Sequence, residues 1–385
     1  AGVPGEVLTI PVVMAGGQNY ALYLVVCLAS LFANAAPETR YRVHVMVSTA
    51  YAPDVRERFA QLERQFPGHA ISFAVMGDAF ADVSIRTSHV DVHTYLRLLI
   101  PQQFPELSRC IYLDGDTVVE QDLTEFFTQP MDDAYLTGVM AAAYHARPDA
   151  RAQRDGMPSY DRYVNAGVLV MNLDKIRADG LPERFLELAD ADFESDDQDV
   201  LNVACYQGIH VVPMRFNLMT KYLPLSERRF AEIPGVARCW DVDELRQALA
   251  SPVIIHYADK RKPWADLSVD LAGRWWFYAV RSPYRDEAID RLLPGAIAAA
   301  SAVVVSYRDL LPGRGAAIDA EAHPRALAKV AELEEAMKLA DRKAARDAAA
   351  VADLTRQRDQ ERKRRRDQGK QLRDVRKSVS FRIGR

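Results

Sequence analysis

Over most of the chain, short apolar runs alternate with segments of helical periodicity. Val7–Met14 (VLTIPVVM) predicts a buried strand and Tyr20–Ala33 a helix with a broad apolar face. Tyr41–Ser48 predicts the next strand, and Pro53, suited to a first helical position, opens a helix that reaches about Gln65. Ile71–Met76 predicts a third strand, His93–Ile100 a helical stretch and Cys110–Leu113 a short apolar strand. This rhythm predicts an α/β fold with a mostly parallel sheet and helices on both faces. Ligands of such sheets bind beyond the carboxyl ends of the strands, so chemistry is sought there. Further along, Gly167–Asn172, Ile209–Pro213 and Val253–Tyr257 predict strands and Asp197–Tyr206 a helix. The aromatic run Trp275–Tyr278 predicts the packed face of a final helix.

From about Ser282 the pattern changes to helical segments interrupted by Pro294, Pro312 and Gly315. A heptad seam then places Val330, Met337, Ala344 and Val351 at one position, with Leu333, Ala340, Asp347 and Leu354 between them. Two readings stay open, a surface helix with an apolar stripe and a coiled coil joining copies of the chain. The expected division is a catalytic unit over 1–283, a helical linker over 284–323 and a basic helical or coiled-coil extension over 324–385.

Composition refines this picture. With 49% hydrophobic and 26% charged residues, wholesale disorder and collagen are excluded. The net charge of −4 conceals an uneven distribution, because Arg356–Lys377 alone carries +7. That run predicts either a solvated helix face or peripheral contact with an anionic membrane surface. It lacks interleaved aromatics and any nucleic-acid module, so no nucleic-acid partner is expected. Cys27, Cys110, Cys205 and Cys239 form no close pair, which points to a reducing, cytoplasmic setting. No apolar run has the ~20 residues of a membrane span.

Candidate chemistry concentrates at strand ends. In Cys110–Asp116 (CIYLDGD) an apolar strand runs into Asp114 and Asp116, which can converge on one hard divalent cation. Gly115 between them permits close backbone approach to a ligand. His256 follows the apolar run Val253–Ile255 and offers an imidazole nitrogen to the same cation, while Lys262 offers a point charge for a phosphate. Taken singly, a strand-end histidine and a D-x-D are as well explained by ordinary packing and solvated loops. Ser195 and Asp196 read as helix-capping residues, which leaves Gln198 unexplained by capping. Ala166 and Gly167, small residues before a strand, suit a backbone that lies close to a ligand.

Six segments in order, AGGQNYA, TYLRLLIP, YLDGD, NAGVLVMN, DQDVLN and HYADKRKPW, resemble the family 8 glycosyltransferases, the group of bacterial lipooligosaccharide galactosyltransferases and glycogenin. The resemblance covers roughly Val7 to Trp276. It implies a GT-A fold, Rossmann-like in its nucleotide-binding half, and transfer of a hexose from a UDP-sugar with retention of configuration. It implies Mn²⁺, or Mg²⁺, on Asp114, Asp116 and His256, and Lys262 at the diphosphate. Ala15, Asn19 and Tyr20 are expected at the uridine, and His89 and Val90 beside the sugar nucleotide. Arg97 is expected to grip the donor sugar, Asn165, Ala166 and Gly167 to border it, and Asp197 to bond its hydroxyls. Gln198 falls at the β-face of the anomeric carbon.

Two positions depart from the family pattern, Gly17 where an acid usually bonds the uracil and Asp259 where a glycine usually faces the diphosphate. The expected acceptor is a hydroxyl of a glycan, glycolipid or protein-linked sugar, in bacterial cell-surface polysaccharide assembly. The competing expectation is a catalytically weakened sugar-nucleotide-binding scaffold that assembles through its coiled coil.

Overall fold

A computed structural model describes residues 7–77, 92–189, 191, 193, 196–223, 230 and 234–299. His89, Val90, the heptad seam and the basic run lie outside these residues. Among the described residues ten strands form two sheets: β1 (Leu8–Ala15), β2 (Thr39–Val47), β3 (Ala70–Val75), β4 (Arg109–Leu113), β5 (Thr117–Val119), β6 (Leu136–Met140), β7 (Val164–Asn172), β8 (Ile209–Val211), β9 (Leu218–Met219) and β10 (Ile254–His256). The main sheet has the order β3-β2-β1-β4-β7-β6-β8, and a small sheet has the order β5-β10-β9.

The main sheet is parallel except for β7, which runs antiparallel to both β4 and β6. Strand order reverses between β1 and β4, the switch point where α/β sheets open a crevice. The reversal of β7 adds a second device. It brings the start of β7, rather than its end, beside the carboxyl end of β4, so the amide of Asp114 donates to the Gly167 carbonyl at 2.8 Å.

Side chains of β1 alternate between two cores, Ile10, Val12 and Met14 on one face and Val13 and Ala15 on the other. The helix α1 (Ala21–Ala33) carries no charge and is buried on nearly every side, as an all-apolar helix must be. It lies between the sheets, touching β5 and the helix Ala272–Ala279. In that helix Trp275 and Trp276 are buried, so the aromatic run is core, as its pattern predicts, although further helical turns follow over 285–299. The helix α2 (Pro53–Gln65) begins with proline in its first turn and buries only Phe59 and Leu62.

The structure sharpens three expectations. Asn165 and Ala166 lie within β7 and not ahead of it, because Val164 pairs with Met140 of β6 and the Gly167 carbonyl accepts from the Asp114 amide, which holds this stretch extended despite the weak strand preference of Asn, Ala and Gly. The segment around Val253–Tyr257 contributes to the small sheet, pairing with β5 and β9. The stretch His93–Ile100 is mainly a 3-10 helix, Val92–Leu99, followed by one α-turn. All four cysteines are unpaired, and Cys27, Cys110 and Cys205 are buried. Among the described residues no helix is long and apolar enough to cross a membrane.

Candidate active site

At the switch point lies a cavity of about 380 Å³. Ala15 enters it from the end of β1, Asp114, Gly115 and Asp116 from the link between β4 and β5, and Asn165, Ala166 and Gly167 from β7. Tyr20, Arg97, Asp197, Gln198 and Lys262 complete the described candidates on its wall. His256, the last residue of β10, reaches the same place from beneath, since its register opposite Thr117 aims it at the D-x-D turn. Asn19 does not join them: it is exposed and lines a separate cavity with Asp54, Arg58 and Arg291.

Asp114, Asp116 and His256 each present a ligand atom within 4.8 Å of one another. His256 Nε2 stands 3.3 Å from Asp116 Oδ1 and 4.0 Å from Asp114 Oδ2. Burial works to raise the Asp116 pKa, but Lys262 and then His256 outweigh it and hold the carboxyl far below the usual range. Lys262 Nζ donates to Asp116 Oδ2 at 2.6 Å and to the Tyr257 carbonyl at 2.7 Å. Two carboxylates and one imidazole, with most of their charge buried, suit a hard divalent cation such as Mn²⁺ or Mg²⁺.

Backbone spacing sets this cluster. A Cβ on Gly167 would lie 2.4 Å from both Asp114 Oδ2 and His256 Cε1, so a side chain there would fill the space between the ligands. Gly115 has a different reason from the one its sequence suggests. A Cβ there would meet Tyr20 at 2.7 Å and Leu24 at 2.8 Å, so the missing side chain lets the turn pack on the protein itself.

Arg97, only 3% exposed, ties the far wall together. Its Nη1 donates to the Ala166 carbonyl at 2.6 Å, its Nη2 pairs with Asp114 Oδ1 at 3.0 Å and its Nε with Asp197 Oδ2 at 2.9 Å. The guanidinium also lies over the Tyr112 ring, 4.4 Å from its centroid. Burial alone would lower the Arg97 pKa, yet Asp114 and Asp197 outweigh it and raise it, so the cation persists. Asp197 is thereby held in an ion pair, and Gln198 carries no charge.

The two departures from the family pattern are placed clearly. A Cβ on Gly17 would meet the His93 ring at 2.9 Å, so His93 fills that space, and it lines the cavity. Asp259 is exposed, accepts from the Lys260 amide at 2.7 Å and is not on the cavity wall.

Sequence reasoning missed Asn217, Tyr112, Tyr163 and Asp199. Gln198 Nε2 donates to the Tyr163 hydroxyl at 3.2 Å, and that hydroxyl donates to Asp199. Asn217 is fully buried and sits 3.0 Å from His256 Nδ1. A lone amide within Phe216–Met219, between apolar neighbours, was the signal available for it.

The family model for glycosyl transferase family 8 matches residues 11–268. Glycosyltransferase GlyE of Streptococcus pneumoniae serotype 4 is 24% identical over 281 residues, 70% of this chain and 60% of GlyE. A putative glycosyltransferase of Haemophilus influenzae is 21% identical over 212 residues, 54% of this chain and 63% of the relative. The chain thus spans about three-fifths of the length of these two relatives. Among solved structures, the galactosyltransferase LgtC in complex with donor and acceptor sugar analogs is 26% identical, with a TM-score of 0.60 over 71% of this chain and 96% of LgtC. The apo WbbM bifunctional glycosyltransferase has a TM-score of 0.63 at 22% identity, over 76% of this chain and 53% of WbbM, a likeness of fold. The fold and the family match agree. The chain is a GT-A protein and belongs to glycosyltransferase family 8.

Proposed function

We propose that the chain moves a hexosyl group from a UDP-sugar to a hydroxyl of a glycan or glycolipid, with retention of configuration and with Mn²⁺ or Mg²⁺ as cofactor. The observation that carries this reading is the convergence of Asp114, Asp116 and His256 within 4.8 Å on a cavity that also holds Lys262 and Arg97. Bound there, the cation would supply electrostatic stabilisation to a departing diphosphate. LgtC, with its donor and acceptor sugar analogs, is the relative that supports the substrate class.

The protein's own groups have separable roles in this reading. Lys262 adds a positive charge at the edge of the cavity, where negative charge grows as the glycosidic bond breaks. Arg97 holds Asp197 and the Ala166 carbonyl in place, and the sugar hydroxyls are offered Asp197 and Asn165. Tyr20 borders the base side next to Gly115. A double displacement requires a free carboxylate nucleophile. Asp197 is engaged by Arg97 and Gln198 is a neutral amide, so same-face attack fits better, with a donor phosphate oxygen taking the acceptor proton.

The test is a thermal-shift panel of UDP-glucose, UDP-galactose and their N-acetyl forms with and without Mn²⁺, followed by turnover with the best donor. Stabilisation by one donor that requires Mn²⁺ and disappears in Asp116→Ala is expected. The absence of any nucleotide-sugar binding at millimolar concentration would remove the proposal.

A further inference from the structure

Asn217 is completely buried at the entry to β9, and its side chain bonds to Asn165 and His256. We propose that Asn217 is a positioning residue that fixes which ring nitrogen of His256 carries the proton, turning the Nε2 lone pair toward Asp114 and Asp116. The inference rests on the cation reading of the same cluster.

The argument starts from backbone amides, which can only donate. The Gly167 amide donates to one side-chain atom of Asn165 at 3.1 Å, so that atom is the amide oxygen. Asn165 therefore turns its nitrogen toward Gln198, whose facing atom lies 3.0 Å away. That atom also receives the Ala166 amide at 3.2 Å, which independently makes it an oxygen. The two backbone donors agree on the orientation of Asn165. Asn217 approaches the Asn165 oxygen at 2.9 Å, so it must present its nitrogen there. Its oxygen is then the atom 3.0 Å from His256 Nδ1, and that ring nitrogen must be the donor.

A neutral imidazole with its proton on Nδ1 has a lone pair on Nε2. That lone pair faces carboxylate oxygens 3.3 and 4.0 Å away, an arrangement of acceptors that a cation resolves. The alternative tautomer would put a proton toward the carboxylates and would oblige Asn217 to turn over. Turning over would oppose its oxygen to the oxygen of Asn165, at the cost of a buried hydrogen bond. The series Gln198–Asn165–Asn217–His256 thus joins the anomeric side of the cavity to the ligand cluster through side chains alone.

The experiment has two independent arms. Long-range proton–nitrogen spectra of the metal-free protein, taken where the ring is neutral, identify the His256 tautomer, with the signals assigned by their loss in His256→Gln. The Nδ1–H form is expected in the wild type, and the Nε2–H form would overturn the inference. In the second arm Mn²⁺ binding is measured by calorimetry for Asn217→Leu and Asn217→Asp. Asn217→Leu removes the acceptor and is expected to weaken Mn²⁺ about 10- to 100-fold. Asn217→Asp keeps an acceptor for Nδ1–H but opposes an oxygen to the Asn165 oxygen, so it is expected to lose stability while binding Mn²⁺ more tightly than Asn217→Leu. Equal Mn²⁺ affinity in wild type and a folded Asn217→Leu would overturn the inference. If Asn217→Leu does not fold, the tautomer decides. A wild-type protein that binds no Mn²⁺ would sink the cation reading, and the tautomer spectrum would still judge the relay separately.

Discussion

Lys262 and Asp116 are bonded at 2.6 Å, so the side chain expected at a phosphate and one expected at a cation neutralise each other in this structure. The same ammonium is anchored to the Tyr257 carbonyl at 2.7 Å. A cation arriving on Asp116 competes with Lys262 for that carboxylate, and a released Lys262 becomes available to a phosphate. Lys262→Ala is therefore expected to tighten Mn²⁺ binding without nucleotide by about tenfold, ~1.4 kcal/mol. The same variant should lower turnover about 10²- to 10³-fold. Calorimetry and steady-state rates on one preparation check both; weaker Mn²⁺ binding in the variant would mean that Lys262 supports the cation rather than opposing it.

Gly167 sits where a methyl group would touch two ligands at once. Gly167→Ala is expected to cost about 1–3 kcal/mol of stability through overpacking. Its Mn²⁺ affinity should fall as well, about 100-fold, because the ligands are pushed apart. Gly295→Ala is the matched control, with nothing within 4 Å of its added methyl. It should leave Mn²⁺ binding unchanged and add up to about 1 kcal/mol of helix stability. Urea unfolding alongside calorimetry separates the two effects.

Arg97 satisfies two carboxylates and the carbonyls of Thr94 and Ala166, a geometry that a lysine ammonium cannot copy. Arg97→Lys is expected to lower stability by about 2–4 kcal/mol, since Asp114 or Asp197 is left poorly paired in a buried site. Turnover should fall about 100-fold from misplacement of the same groups. An unchanged melting temperature together with unchanged turnover would contradict this account of the wall.

Asp122, away from the cavity, governs part of the acid response. It accepts from the Thr124 amide at 2.9 Å, the Ala36 amide at 2.8 Å and the Tyr41 hydroxyl at 2.9 Å. Burial works to raise its pKa, but hydrogen bonds from Thr124 and the Ala36 amide outweigh it and the pKa is lowered. A lowered folded pKa stabilises the fold above the unfolded value of about 3.9, and this contribution is lost as pH falls through the folded value. Asp122→Asn should thus cost about 1.5–3 kcal/mol at pH 7. The gap between variant and wild type should shrink as the pH falls below about 4. Chemical unfolding across that pH range is the check.

The ligand cluster was legible because its chemistry sits where sequence is easiest to read. Asp114 and His256 each close a short apolar run, and a polar residue after such a run marks a strand end. The alternation of β1, α1, β2, α2 and β3 was equally plain from apolar spacing. Other parts were hidden for physical reasons. β5 and β9 are too short for a period to register, with three and two residues. The start of β7 is written in Asn, Ala and Gly, which rarely favour strands, and it is held extended by the Val164–Met140 pairing and the Asp114 amide on the Gly167 carbonyl. Asn217 looks like an isolated amide until the fold places it between His256 and Asn165, 39 and 52 positions away in sequence. Asn19 shows the reverse case, where a motif match placed a side chain that the turn Gln18–Tyr20 directs elsewhere.

The reversed direction of β7 has a consequence for how this protein can vary. Consecutive side chains on a strand leave opposite faces, so slipping β7 by one position would exchange the faces of Asn165 and Ala166 and pull Gly167 from between the ligands. An insertion or deletion inside Val164–Asn172 would therefore disable both ends of the cavity together. Length changes are tolerable in the exposed connections, whereas this strand admits substitution only. The ladder to β4, fixed from Arg109–Asn172 through Leu113–Val168, works as a ruler against which the whole site is measured.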